Sequence, residues 1–209
     1  MRGIPGIVLL AMVTAIPAAR AEDGFYLGGS LSYAVMSESD ISDSAALAPG
    51  ESATLQYNQG AAVSFDMGYR LGIGRLEAEI GYQRNGVSQY RPASGDVDAT
   101  GGLTQTRALL NGYISFPIGT HITPYIGAGF GVAQVRLDDF NIAGSGVPNS
   151  SSSDRVNIAQ VTIGGMSKIN EHYDLDVSYR YLMSSDANFD DATLSLSGYL
   201  LTLGLRYNF

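Results

Sequence analysis

The last eleven residues alternate between large apolar and small or polar side chains, and this pattern constrains the fold more than any other segment. One face carries Tyr199, Leu201, Leu203, Leu205, Tyr207 and Phe209. The opposite face carries Leu200, Thr202, Gly204, Arg206 and Asn208. A period of two residues is typical of a β-strand, whose side chains point alternately to its two sides. The segment is therefore predicted to be a strand with one apolar face that continues to the last residue.

Seven earlier segments repeat the same alternation. They cover residues 25–35, 61–71, 75–84, 104–116, 124–137, 156–168 and 173–182. The sixth is the least regular, and we interpret it with Ala159, Val161 and Ile163 on the apolar face. Tilted strands of about 9 to 11 residues match the thickness of a bilayer. Together with the terminal segment, the chain is predicted to contain eight strands.

The connections between these segments alternate between long and short. Long ones fall at 36–60, 85–103, 138–155 and 183–195, and short ones at 72–74, 117–121 and 169–172. Membrane barrels show this asymmetry, with tight periplasmic turns and longer extracellular loops. The predicted fold is all-β, an eight-stranded antiparallel transmembrane up-and-down β-barrel over residues 22–209, with four long extracellular loops and three short periplasmic turns.

A soluble lipocalin-like barrel is the alternative, because it also has eight strands and is often secreted. In that fold the apolar faces would point inward and the charged residues of the strands would lie outside. The complete apolar faces, the terminal Phe209 and the rhythm of the loops favour the membrane barrel.

The first 21 residues are typical of a cleaved secretory signal peptide. Arg2 precedes a largely apolar stretch over residues 4–16, and Ala19-Arg20-Ala21 forms a cleavage site. The chain contains no cysteine, which excludes disulfides, thiolate metal sites and a lipid-modified cysteine. Without Arg2 and Arg20, ten basic residues remain against 20 acidic ones. This balance argues against a nucleic-acid partner, whose recognition needs a basic surface.

Four motifs occur in an order that resembles one known family. They are Asp23-Gly-Phe-Tyr-Leu-Gly-Gly, Thr123-Pro-Tyr-Ile-Gly-Ala-Gly-Phe-Gly, Tyr179-Arg-Tyr and Leu205-Arg-Tyr-Asn-Phe209. Together they resemble the small eight-stranded outer-membrane barrels of Gram-negative bacteria, namely the opacity and surface-antigen proteins of the porin family related to the outer-membrane protein A transmembrane domain. The resemblance covers the whole chain after the signal segment and implies a location in the outer membrane.

The terminal strand also resembles the assembly signal that the barrel-insertion machinery reads in such proteins. The residues that would carry this signal are Leu203, Leu205, Tyr207 and Phe209. The resemblance therefore implies the barrel-assembly machinery as a partner during insertion.

Charged residues occupy the strand faces opposite the apolar ones. They come from five predicted strands and are Asp66, Arg70, Glu77, Glu79, Arg107, Asp174, Asp176, Arg180 and Arg206. An eight-stranded barrel is only wide enough for side chains to fill it. Unpaired charges would be costly in so narrow a space. We therefore expect an ion-paired structural plug rather than a conducting path.

Nothing in the sequence indicates catalysis or a cofactor. The only histidines, His121 and His172, fall in short connections, far from lipid A in the outer leaflet. A hydrolase would need a histidine near a serine and a carboxylate. The acidic residues of the long loops lack the spacing of an EF-hand, so no metal site is expected.

The sequence thus predicts a non-enzymatic protein that contributes to envelope integrity and to surface display, as an adhesin or an antigen, through its extracellular loops. A small porin-like channel and a lipid-A-modifying barrel enzyme are the alternatives. Expected partners are outer-membrane lipid and lipopolysaccharide, the barrel-assembly machinery, and a host or surface ligand at the loops. We expect a monomer.

Overall fold

A computed structural model describes residues 23–37, 39–42, 53–91, 97–118, 121–142, 150–185, 187–189, 192–194 and 196–209. The predicted signal peptide, residues 1–21, lies outside these ranges. Every regular element in the described part of the chain is a strand. Within those ranges, no helix has the length and hydropathy needed to span a membrane.

Eight long strands follow one another along the chain. They are β1 (Gly24–Met36), β2 (Gly60–Leu71), β3 (Gly74–Arg91), β4 (Val97–Ser115), β5 (Ile122–Ile142), β6 (Ser150–Lys168), β7 (Tyr173–Ser184) and β8 (Ser197–Asn208). Each strand pairs antiparallel with the next. The last strand pairs antiparallel with the first, from Tyr26 opposite Asn208 to Met36 opposite Gly198. The sheet therefore closes on itself, and the predicted eight-stranded antiparallel barrel is confirmed.

The strands are staggered around the barrel. From Leu31, the cross-strand partners through β2, β3, β4 and β5 lead to Arg155 of β6. In the other direction, through β8 and β7, they lead to Gly165 of the same strand. One circuit thus shifts the register by ten residues. A stagger of this size goes with strands that tilt by roughly 40° from the barrel axis.

Side chains alternate between the exterior and the lumen along each strand. On β8, Leu203 is 55% exposed whereas Thr202 is 1% exposed. On β6, the least regular segment in the sequence, Ile163 is 61% exposed and Gln160 is 1% exposed. The predicted phase of β6 is therefore confirmed. Large apolar or aromatic side chains are exposed on all eight strands, so the barrel has an apolar outer band.

Four of the strands continue beyond their predicted ends. β3 runs to Arg91 and β4 begins at Val97, inside the connection predicted at 85–103. β5 ends at Ile142 and β6 begins at Ser150, inside the connection predicted at 138–155. These four strands have 18 to 21 residues, whereas β1, β2, β7 and β8 have 12 or 13. One side of the barrel therefore rises above the other at the long-loop end.

Four short strands from the first and last long connections stand beside these extensions. Ser39–Ser42 pairs with Ala53–Tyr57, and Ala187–Phe189 pairs with Ala192–Leu194. Ala192–Leu194 also pairs with Ser39–Ser42, and Ala53–Tyr57 pairs with the end of β3. We term these four short strands, with the long-loop ends of β3 to β6, the collar. The collar continues the sheet beyond the barrel, where the sequence alone predicted only loops.

Candidate functional site

The lumen of the barrel holds the candidate site. The nine charged residues selected from the sequence all lie on inward-facing strand positions, and eight of them are at most 8% exposed. Arg70, at the short-turn end, is the ninth, and 16% of its side chain is exposed. The alternation of the strands aims these side chains at the axis of the barrel, where their ion pairs form three groups. Asn111, which donates hydrogen bonds to Glu77 and Glu79, and the sulfur of Met166, which accepts from Arg70 and Arg206, connect the three groups into one network.

Glu79 of β3 lies between two arginines. Its carboxylate accepts hydrogen bonds from Nη1 of Arg180 at 2.7 Å and from Nε of Arg107 at 3.2 Å. The side-chain amide of Asn111 donates a third hydrogen bond at 3.2 Å. Because β3 and β7 stand on opposite walls of the eight-stranded ring, the pair between Glu79 and Arg180 crosses the lumen.

Glu77, two residues earlier on β3, is held mainly by hydroxyl groups. Tyr26 and Tyr113 donate hydrogen bonds to its carboxylate at 2.8 and 3.1 Å. Arg206 Nη2 and Arg75 Nε lie 3.6 and 3.8 Å from the same carboxylate. The Glu77 side chain is fully buried. These partners replace the hydration that a buried carboxylate loses, which is the condition for keeping a charge in such a place.

Arg206 of β8 joins three carboxylates. Its Nη1 lies 3.1 Å from Asp176, its Nη2 lies 3.6 Å from Glu77, and its Nε lies 4.0 Å from Asp66. The hydroxyl of Tyr125 donates a hydrogen bond to Asp176 at 2.9 Å. The three acids belong to β7, β3 and β2, so this one guanidinium ties together three other strands.

Arg70 and Asp174 close the network at the short-turn end. Nη2 of Arg70 lies 3.0 Å from Oδ2 of Asp174. The side-chain amide of Asn208 donates a hydrogen bond to the same oxygen, also at 3.0 Å. This last ion pair links β2 to β7 at the rim of the barrel.

Arg75 belongs to the network although it was not selected from the sequence. Its guanidinium carbon lies 4.2 Å from the centre of the Tyr113 ring and 4.8 Å from that of Tyr125. A cation is attracted to the face of an aromatic ring at such distances. The signal was present in the sequence, because Arg75 lies two residues before Glu77 and so on the same strand face. With Arg75, five arginines face five carboxylates in this network.

A cluster of buried apolar side chains lies mainly in the half of the lumen nearer the long loops. The cluster consists of Ala34, Ala62, Leu103, Leu109, Ala133, Val135, Val156, Ile158, Leu182, Leu196 and Leu200, each at most 6% exposed. The interior was predicted to be polar, and the half nearer the long loops is mixed, because Gln83, Asn85 and Gln105 are buried there as well. Leu103 and Leu109 share the strand phase of Arg107, so their inward direction could have been read from the sequence.

A small cavity lies among the buried side chains of the half nearer the long loops. This cavity, lined by Gln83, Gln105, Ile158 and Leu182, among others, has a volume of about 20 Å³. Such a volume is close to the space that one water molecule needs. The lumen is therefore a packed interior rather than a pore.

Glycines give room to the largest side chains of the lumen. A Cβ atom at Gly81 would lie 2.7 Å from the guanidinium carbon of Arg107. One at Gly164 would lie 2.5 Å from the ring of Tyr125. Real Cβ atoms essentially never come so close to other atoms, so Arg107 or Tyr125 would have to move if the facing glycine carried a side chain. Large inward side chains thus pack against glycines on neighbouring strands.

Both histidines lie at the short-turn end of the barrel. His121 is exposed just before β5, and His172 is exposed just before β7. The His172 ring stacks on Tyr207 with 5.7 Å between ring centres, and its Nδ1 lies 3.3 Å from the carbonyl oxygen of Asn208. Within the described ranges, no three acidic or histidine side chains are grouped as a metal site would require.

The closed barrel, its apolar exterior and its packed lumen agree with a known family. The sequence model described as "Outer membrane protein beta-barrel domain" matches residues 6–209. The chain belongs to this family. It is an outer-membrane β-barrel, and its apolar exterior faces lipid.

Individual relatives share the barrel over most of their length. The outer membrane protein PagN of Salmonella typhimurium is 25% identical over 213 residues, which cover 87% of this chain and 84% of PagN. Neisserial surface protein A (NspA) has a TM-score of 0.57 at 18% identity, covering 89% of this chain and 97% of NspA. OprG of Pseudomonas aeruginosa has a TM-score of 0.54 at 16% identity, covering 90% of this chain and 96% of OprG. At these identities the two structures show the fold alone.

In this outer-membrane barrel, the four residues of the predicted assembly signal all face lipid. Leu203, Leu205, Tyr207 and Phe209 are between 37% and 73% exposed. The rings of Tyr207 and Phe209 meet edge to face with 5.1 Å between their centres. The backbone N–H of Phe209 donates a hydrogen bond to the carbonyl of Phe25 at 3.2 Å. The last residue is thus joined to β1 at the short-turn rim.

Proposed function

We propose that this outer-membrane barrel is a non-enzymatic display scaffold whose long-loop end faces the outside of the cell and contacts partners there. The observation that carries the proposal is that buried side chains fill the described part of the lumen, while the collar extends the sheet at the long-loop end. A packed lumen leaves the wall and the collar as the surfaces available for function. The roles that fit are adhesion or antigen display, together with support of the envelope.

The packed lumen disfavours the alternative of a porin-like channel. An ion that crossed the barrel would have to break the buried pair between Glu79 and Arg180 and displace the apolar cluster around Leu103. Both steps are costly, because one leaves unpaired buried charges and the other opens a cavity. We expect no large, stable openings when the purified barrel is placed in planar bilayers. Sustained openings would support the channel instead.

The positions of the histidines favour a role without catalysis. His121 and His172 lie at the end opposite the collar, so under the proposed orientation they are remote from lipid A in the outer leaflet. A lipid-A hydrolase needs a positioned general base within hydrogen-bond reach of its substrate. We expect lipid-A mass spectra to be unchanged when the protein is expressed. A new lipid-A species would support an enzyme.

The orientation can be tested with short epitope tags on intact cells. Tags inserted after Ala46 and after Ser145 are expected to bind antibody without permeabilisation. A tag after Ile73 or after Asn170, in the short turns, is expected to bind only after the outer membrane is opened. Heat-modifiable gel migration of each variant shows that its barrel is closed. Surface labelling of the short turns would contradict the proposed orientation.

The display role can be tested by separating the collar from the barrel. Replacing residues 39–57 by a short Gly-Ser connection removes one collar hairpin and leaves the eight barrel strands. We expect such cells to lose adhesion to host cells or to each other, and to keep normal resistance to detergent. A deletion of the whole protein is expected to reduce both. Adhesion equal to the wild type in both strains would contradict the display role.

The assembly signal remains a proposal of its own. Because Tyr207 and Phe209 are exposed to lipid, replacing both by Ser is expected to remove few packing contacts inside the barrel. We therefore expect the Tyr207→Ser, Phe209→Ser variant to reach the outer membrane at a lower level, while the fraction that has folded resists urea as the wild type does. Normal membrane levels would contradict the signal. The matched control is Leu110→Ser, an exposed lipid-facing residue in the middle of β4.

A further inference from the structure

Three arginines form a cluster on the outer wall of the barrel, near the long-loop end. Arg84 of β3, Arg136 of β5 and Arg155 of β6 are all exposed and occupy outward-facing positions. Arg84 lies opposite Thr104 of β4, which lies opposite Arg136. Arg136 lies opposite Ser153, two residues from Arg155. We term Arg84, Arg136 and Arg155 the arginine cluster.

The spacing within the cluster follows from sheet geometry. β3 and β5 are separated by one strand, so Arg84 and Arg136 stand roughly 10 Å apart at the backbone. Arg136 and Arg155 are diagonal neighbours on adjacent strands, with roughly 7 to 8 Å between their positions. Like charges so close repel each other unless an anion lies between them.

The concentration of positive charge is unusual for this acidic chain. Five of its twelve lysines and arginines lie in the lumen network, and outside the lumen the described side chains of this type are the arginine cluster and Lys168. Lys168 is at the short-turn end, at the last residue of β6. Among the side chains that the structure describes, no ion pair with a carboxylate involves the three arginines, whereas every lumen arginine has one.

The arginine cluster begins where the lipid-facing surface ends. On β3, Arg84 is the next outward residue after Tyr82. On β5, the apolar outward residues end at Val132 and are followed by Gln134 and Arg136. Tyrosines commonly mark the boundary between hydrocarbon and headgroups. The three guanidinium groups therefore stand just beyond the hydrocarbon, at the level of the headgroups.

We propose that the arginine cluster binds the phosphate groups of the lipid A headgroup of lipopolysaccharide in the outer leaflet. Guanidinium groups bind phosphate oxygens in a bidentate manner, and they do so best where water is partly excluded. The side chains leave the wall sideways, parallel to the membrane, so the groups they meet are headgroups of neighbouring lipids rather than soluble molecules above the loops. The inference rests on the orientation given under the proposed function.

The opposite wall of the barrel gives a contrast near the long-loop end. β1 and β8 present Tyr33, Val35 and Tyr199 there, without a charged outward side chain on the described residues. One side of the rim is therefore suited to phosphate, and the other to the uncharged boundary of the bilayer. A lipid A molecule is expected on the side formed by β3 to β6.

The test measures lipid binding to the purified, folded barrel in a neutral detergent, by native mass spectrometry. The probes are bis-phosphorylated lipid A, the same lipid with both phosphates removed, inorganic phosphate, and a soluble sulfated polysaccharide. The variant is R84Q/R136Q/R155Q, and the matched control is K168Q. Heat-modifiable migration confirms that each barrel is closed. We expect the wild type and K168Q to bind phosphorylated lipid A at least tenfold more tightly than the dephosphorylated lipid, and the triple variant to lose this preference.

Three outcomes would overturn the proposal. The triple variant could bind phosphorylated lipid A as the wild type does, or the wild type could fail to distinguish the two lipids. Inorganic phosphate or the polysaccharide could bind to the arginine cluster more tightly than lipid A, which would indicate a soluble ligand. The measurement depends on neither adhesion nor orientation in the cell. If lipid binding fails but the epitope tags show the proposed orientation, only the lipid site is contradicted. If the tags show the reverse orientation, the proposed function itself is contradicted.

Discussion

The two halves of the lumen fill the same narrow cylinder by different means. In the half nearer the short turns, five arginines and five carboxylates pair across the barrel. Toward the long loops, a cluster of eleven buried apolar side chains packs beside buried polar ones such as Gln83 and Gln105. The strand alternation and the tilt are the same in both. The charged half is stabilised by ion pairs and the apolar half by close packing, so single substitutions should destabilise the two halves for different reasons.

The largest effect is expected from breaking the charged half at Arg206. Arg206→Met keeps much of the side-chain volume but leaves Asp66, Glu77 and Asp176 without their shared cation. Removing one member of a buried ion pair typically costs 3 to 5 kcal/mol, and we expect about 4 kcal/mol here. The loss is measured as a lower urea midpoint of the barrel in lipid vesicles. K168M, at the exposed rim, is the control, and equal losses in both variants would contradict the role of the network.

A somewhat smaller effect is expected from opening the apolar half at Leu103. Leu103→Ala removes a side chain that is 2% exposed and leaves a cavity among its neighbours. Such a change costs about 3 kcal/mol of unfolding free energy in a packed core. Leu110→Ala on the same strand is the control, because Leu110 is 65% exposed and lipid can fill the space. Equal urea midpoints for the two variants would show that the apolar half is not tightly packed.

An added methyl group tests the packing from the opposite direction. In Gly131→Ala, the new Cβ would collide with the backbone carbonyl of Ala108 on β4. Overpacking of this kind costs about 2 kcal/mol. In the control Gly112→Ala, the nearest atom is Cδ2 of Leu76 at 3.9 Å, which is ordinary contact. We expect the urea midpoint to fall for the first variant alone, and a normal midpoint for Gly131→Ala would mean that β4 and β5 adapt.

The smallest expected effect is the coupling between the halves. Arg206 and Leu103 lie in different halves of the lumen. The loss of unfolding free energy in the R206M/L103A variant should therefore equal the sum of the losses in the two single variants, to within about 0.5 kcal/mol. The measurement is a double-mutant cycle on urea unfolding. A larger coupling would show that the two halves behave as one structural unit.

The barrel was predictable because each strand must meet lipid on one side and side chains on the other. Lipid accepts only apolar residues, so the outward positions form a continuous signal, from Phe25 on β1 to Phe209 after β8. Even the irregular β6 has its predicted phase. The nine lumen charges were found for the same reason, because charged residues at alternate places can only point away from lipid.

The features that the sequence did not predict are formed by residues that do not contact lipid, because such residues need not follow an apolar period. The collar strands are held by backbone hydrogen bonds between segments such as Ala53–Tyr57 and β3, which impose no apolar period on the sequence. Arg75 was overlooked because it stands at the start of β3, where the alternation begins. The apolar half was overlooked because inward leucines such as Leu103 resemble outward ones once the strand phase is ignored. Which arginine pairs with which carboxylate depends on the register between strands, and the sequence of a single strand does not specify this register.

The ion pair between Arg180 and Glu79 joins residues that are 101 positions apart, and Arg70 and Asp174 are 104 apart. Neither pair can form within a hairpin or within an open sheet, because the members approach only when the sheet has curled until opposite walls face each other. During assembly these charges must therefore stay hydrated until the final closure. A barrel that closed with one strand out of register would bury a guanidinium group without its carboxylate partner. The network therefore disfavours every closure except the one with the correct register.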